Sequence, residues 1–84
     1  MTKPFVFVGN EMIMNFSTSA RGRIAVYLYL DGDPRPSLAS CWMFGDRVDS
    51  PATFPKGKLA AFAGKPVRLE FVMSDADLYS FRFR

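Results

Sequence analysis

Histidine is absent from the sequence, and cysteine occurs once, at Cys41. A single thiol closes no intrachain disulfide, and a zinc site needs several Cys, His or carboxylate ligands, so neither staple is expected and no metal or cofactor is implied. A free cysteine with no histidine to activate it also makes a poor nucleophile. Apolar runs are short: none is long enough to cross a bilayer as a helix. The opening Met1-Thr2-Lys3-Pro4-Phe5 lacks the apolar core of a signal peptide. The expectation is therefore a cytoplasmic chain with no membrane partner. The charge excess is small too. The net value is +3, and the Lys and Arg are scattered without a basic run, which argues against nucleic acid. There is no glycine-rich phosphate loop.

Aromatic residues, by contrast, are plentiful, at 15% with nine Phe. Eighty-four residues make one domain (1–84) that buries only roughly 60% of its unfolded surface, and large side chains suit so small a core. The most regular stretch is Val67 to Met73, where Val67, Leu69, Phe71 and Met73 alternate with Arg68, Glu70 and Val72. Tyr79, Phe81 and Phe83 alternate with Ser80, Arg82 and Arg84 in the same way. Period two with one apolar face marks a strand. The polar Ser74-Asp75-Ala76-Asp77 between them predicts a β-hairpin. Its natural register pairs Phe71 with Phe81, Leu69 with Phe83, Met73 with Tyr79 and Glu70 with Arg82.

The same logic applies upstream. Phe5-Val6-Phe7-Val8, then Gly9-Asn10, then Glu11 to Phe16 predict a second hairpin, since Gly and Asn tolerate positive φ. Met12, Met14 and Phe16 share one face of its second arm. Ser17 to Gly22 is small and polar and is expected as a loop. Arg23 to Leu30 is the longest expected strand, with Ile24, Val26, Leu28 and Leu30 inward and Arg23, Ala25, Tyr27 and Tyr29 on a half-wet face. Asp31-Gly32 turns it, and Pro34 and Pro36 forbid a central strand there. Ser37 to Phe44 reads as a short strand or a packed loop. Arg47–Ser50 and Ala52–Phe54 read as short edge pieces limited by Pro51 and Pro55, with a turn at Pro55–Lys58. Leu59 to Ala63 reads as one helical turn capped by Gly64. The sum is an all-β chain of about seven short antiparallel strands, a small sandwich or barrel.

Candidate chemistry is thin. The pairs Asp31/Asp33 and Asp75/Asp77 could hold calcium or act as acid and base, but Asp in tight loops more often bonds its own backbone; Asp46 and Asp49 take the same reading. Trp42, beside Cys41 and Phe44, offers a platform for a sugar ring, or a core or interface plug. Tyr27 and Tyr29 offer a flat aromatic surface for a ligand or for a second chain. Together with Asp31 and Asp33 they form the candidate carbohydrate site. Arg68, Arg82 and Arg84 read as a solvated strand face beside Glu70.

Several stretches, taken in order, resemble one bacterial module. They are Thr2-Lys3-Pro4-Phe5, Glu11 to Ala20, Gly22 to Val26, Gly45-Asp46, Leu59 to Leu69 and Asp75 to Phe83. They look like the C-terminal β-sandwich of bacterial glycosidase-like proteins in which a β-propeller hydrolase domain comes first. The resemblance implies a jelly-roll-like, non-catalytic accessory domain; members of that family are often exported. Pro36 to Phe44 and Phe54-Pro55 depart from its pattern. The chain starts part-way into the family's sandwich, which implies an open edge and an uncovered apolar strip. Self-association would cover it, so a homo-oligomer, dimer or higher, is expected. Phe5, Val6, Phe7 and Val8 are the first interface candidates and the Tyr27/Tyr29 face the second. Carbohydrate binding and an inactive remnant of a longer gene are the alternatives.

Overall fold

A computed structural model describes residues 2–55 and 57–84; the turn expected at Pro55–Lys58 includes Lys56, outside that set. The fold is all-β and antiparallel. Four strands form one sheet: β1 (Met12–Leu30), β2 (Leu38–Ala39), β3 (Arg47–Pro51) and β4 (Val67–Phe83). The expectation of about seven short strands gives way to two long ones, of 19 and 17 residues, and two short ones. β4 runs beside β1 along its whole length, while β2 and β3 pair with its two ends.

The expected C-terminal hairpin is not formed. Residues 67–83 are one strand, and both arms pair with β1 rather than with each other. Phe71 lies opposite Val26, Glu70 opposite Tyr27, Phe81 opposite Met14 and Arg82 opposite Ile13. The physical reason is that β1 offers two alternating runs of matching phase. Met12, Met14 and Phe16 meet Phe83, Phe81 and Leu78; Ile24, Val26, Leu28 and Leu30 meet Met73, Phe71, Leu69 and Val67. Each apolar arm thus finds an apolar partner on the same face.

The two polar stretches read as separate loops are one bend in this ribbon. Thr18 pairs with Ala76 and Arg23 with Ser74, so Ser19 to Gly22 bulge opposite Asp75 alone. Asp75 takes a left-handed φ of 49° there, and the backbones come so close that a Cβ on Gly22 would stand 2.3 Å from the Asp75 carbonyl oxygen. Glycine is required at that crossing. A second bulge lies at Tyr79: Asn15 pairs with Ser80 but Phe16 with Leu78. Tyr79 is therefore not on the core face where strict alternation put it, and its ring is exposed.

The N-terminal hairpin is also absent. Phe5 bridges to Val67, with bonds both ways of 2.9 and 2.8 Å, and Thr2 N–H donates to Leu69. Gly9 does turn, at φ 115°, but it turns against Arg84, whose carbonyl accepts from Asn10 and Glu11. β3 and β4 already flank Glu11 to Phe16, so no edge is left for Phe5–Val8. The helical turn at Leu59–Phe62 is present as a 3-10 turn, and Gly64 follows with φ 81°.

One core collects both ends of the ribbon. Met12, Met14 and Phe16 join Ile24, Val26, Leu28, Val67 and Leu69, with Phe7, Leu38 and Leu59 closing over them. Burial of each large aliphatic side chain contributes about 1.5–3 kcal/mol against the entropy of ordering the chain. Ile13 is buried on the other face. Its neighbours are Arg82 on β4 and Pro51 on β3, and an Arg82–Asp49 ion pair at 3.4 Å spans the strand there.

Candidate functional site

The strand phase sets Tyr27 and Tyr29 on the outer face of β1, both half-buried. Trp42 reaches the same face through a local irregularity. Ser40 and Met43 both pair with β1, at Val26 and Ile24, so Cys41 and Trp42 are squeezed against Ala25. The Ser40 hydroxyl substitutes for a backbone acceptor, taking the Val26 N–H at 2.8 Å. Trp42 ends 38% exposed with the Arg23 guanidinium 4.3 Å above its ring, a cation–π contact. The structure thus brings Trp42, Tyr27 and Tyr29 to one face.

The polar groups of that face are engaged within the chain. Tyr29 donates its hydroxyl to Glu70 at 2.9 Å. That bond holds the phenol proton, with burial and the Glu70 charge adding to it, and raises the Tyr29 pKa above the ordinary tyrosine value. Arg68 Nε lies 3.8 Å from Asp31 Oδ1, an ion-pair distance too long for a hydrogen bond, and the same guanidinium donates to the Asp33 carbonyl at 3.3 Å. The Asp33 carboxylate accepts from the Arg35 N–H at 2.9 Å, closing an Asx-type turn. Asp31 and Asp33 therefore flank the aromatic face as turn and ion-pair residues.

Three further carboxylates are likewise engaged within the chain. Asp46 accepts from Ser17, Asp49 pairs with Arg82, and Glu11 pairs with Arg84 at 2.8 Å. Among the described residues no three of His, Cys, Asp and Glu gather as a metal site would require, and no helix is long and apolar enough to cross a membrane. A cleft of about 570 Å³ is lined by Asn10, Glu11, Thr53, Phe54 and Leu59 among others; its carboxylate is the one held by Arg84. Cys41 is free and exposed.

Of the Phe5–Val8 run, Phe7 is buried and Phe5 half-buried. Both rings belong to an aromatic cluster: Phe7 stacks on Phe83 at 4.3 Å, and Phe5 lies 5.8 Å from Phe83 and 6.5 Å from Phe81. Val6 and Val8 point outward, 58% and 79% exposed.

Sequence reasoning missed another surface, the outer edge of β4 from Ala76 to Phe83. Ala76, Leu78, Phe81 and Phe83 face the core yet are only partly buried, whereas their β1 partners Phe16, Met14 and Met12 are sealed. The difference arises because, among the described residues, no strand lies beyond β4 here. A phase slip was the available signal. The apolar positions 76, 78, 81 and 83 step by two, then three, then two, which marks a bulge. No family model, curated protein or solved structure matches the chain.

Proposed function

We propose that the chain is a non-catalytic association module: a small jelly-roll-like sandwich that works by packing against another protein surface, as the accessory domains of bacterial glycosidases it resembles would. The carrying observation is the half-covered apolar row of Ala76, Leu78, Phe81 and Phe83 at the unpaired edge of β4. An open strand edge backed by half-covered apolar side chains is a template for another chain. The sandwich description is supported by a core drawn from both ends of one bent ribbon. A cytoplasmic location is part of the same reading.

Light scattering from dilute to millimolar protein tests it. Association, with itself or with a supplied partner domain, is the expected result; a monomer at every concentration counts against it.

A stand-alone carbohydrate-binding module is the second reading, favoured by Trp42, Tyr27 and Tyr29 sharing a face. Its weakness is that Arg23 already covers one side of the indole and that Glu70, Asp31 and Asp33 have partners.

A further inference from the structure

We infer that the partner of the β4 edge is a second copy of the same edge, antiparallel to it about a two-fold axis between Tyr79 and Ser80. This rests on the association reading and specifies its partner and register.

The direction of the backbone groups comes first. Glu11 and Arg84 exchange both N–H···O bonds, at 2.9 and 3.0 Å. Alternation along an antiparallel ladder then turns the N–H and C=O of Phe83 and Phe81 away from β1. Past the bulge, Thr18 gives its N–H to Gly45 rather than to β4. Its β4 partner Ala76, and with it Leu78, likewise turns its polar groups outward. The four residues whose backbone is open are thus the same four whose apolar side chains are half-covered.

The bulge supplies the symmetry. In an unbroken strand the faces alternate strictly, and an eight-residue segment laid antiparallel on itself about its midpoint sets core-side against solvent-side residues throughout. With Tyr79 inserted, residues 76 to 83 read core, out, core, out, out, core, out, core. That pattern is the same from either end. Its only full match with itself sets Leu78 opposite Phe81, Ala76 opposite Phe83, Tyr79 opposite Ser80 and Asp77 opposite Arg82. Shifting the register by one opposes core-side and solvent-side residues; shifting it by two sets one core-side residue against an outward one at the centre, Tyr79 against Leu78 or Ser80 against Phe81.

Charge agrees with this register. Asp77 is exposed and makes no ion pair or side-chain hydrogen bond among the described residues. Arg82 is exposed and holds Asp49 with one nitrogen, leaving the rest of its fork open. The two-fold axis repeats the Asp77–Arg82 pair, and opposite charges facing across strands favour the register. The pairing is short, so the dimer is weak and visible only at high concentration.

Hydrogen exchange on the unmodified chain, followed by NMR across a concentration series, tests this without any variant. The amides of Ala76, Leu78, Phe81 and Phe83 should become protected as dimer forms. Asp77→Arg and Arg82→Asp should each weaken the dimer by about tenfold, through two lost pairs and two like-charge contacts, and combining them should restore it. Circular dichroism checks that each variant is folded. An oligomer whose four edge amides stay unprotected overturns this register while leaving association intact. A monomer at millimolar concentration overturns the dimer, and one that also fails to bind a supplied partner domain overturns the association reading.

Discussion

Phe71 and Phe81 lie ten positions apart on the single strand β4, yet their rings stand 5.2 Å apart, centroid to centroid, tilted by 44°. A straight strand would hold them roughly 33 Å apart. The strand therefore doubles back over its own core, and the two rings close the gap between its arms. Replacing either with Ala should cost about 2–4 kcal/mol. The double variant should cost less than the sum by about 1 kcal/mol, measured by urea denaturation, because the ring–ring contact is lost only once.

The crossing at Gly22 should not tolerate a side chain. Gly22→Ala places a Cβ 2.3 Å from the Asp75 carbonyl, with backbone on both sides and nothing soft to yield. A loss of more than about 2 kcal/mol is expected. Gly32→Ala is the control: it has open space around it and only a φ of 86° to pay for, so about 1 kcal/mol is expected.

Stability should fall at high pH, with Tyr29 contributing. Its folded pKa is raised, chiefly by the bond to Glu70. An unfolded tyrosine ionises near about 10. Above that pH the unfolded chain sheds a proton that the folded one keeps, so stability present below the ordinary tyrosine pKa is lost as pH rises through the raised value. Thermal melts at alkaline pH should lose stability less steeply in Tyr29→Phe than in the unmodified chain, and an equal slope would reject the assignment.

Trp42 should report its own environment cleanly, being the one tryptophan. Arg23→Ala removes the guanidinium from its ring, and the emission should shift to the red as water replaces it. Titration with oligosaccharides should leave the emission of the unmodified chain unchanged. A saturable change would instead favour the carbohydrate reading.

Much of the strand pattern was legible in the residues. Alternation at Met12–Phe16, Ile24–Leu30 and Val67–Met73 marks the buried faces, and Ser17–Gly22 and Ser74–Asp77 mark where regularity breaks. What alternation does not encode is partner choice. Phe71 faces Val26 with the same face match it would have had with Phe81, and a short polar stretch serves a ribbon bend as readily as a hairpin loop. Two breaks that pair with each other, Thr18 with Ala76 and Arg23 with Ser74, become one feature only once the long-range ladder is known. The aromatic face was legible in part. Tyr27 and Tyr29 followed from strand phase, while Trp42 needed the squeeze at Cys41 that no period reveals. The β4 edge was hidden because the expected hairpin had given residues 78–83 a partner and Tyr79 a place inside.

The β1–β4 ribbon also governs how this chain can reach its native state. The nearest pair in that ladder, Leu30 with Val67, joins residues thirty-seven positions apart, and the farthest, Met12 with Phe83, seventy-one. The local β1–β2 pairing covers only Tyr27–Ala39 and Leu28–Leu38, so for the rest of the ribbon a large loop must be closed before its contacts offset the lost entropy. Acquisition of structure should be slow for so short a polypeptide. During synthesis, β1 can pair early only with the short β2 and β3; its long ladder forms once residues 67–83 emerge.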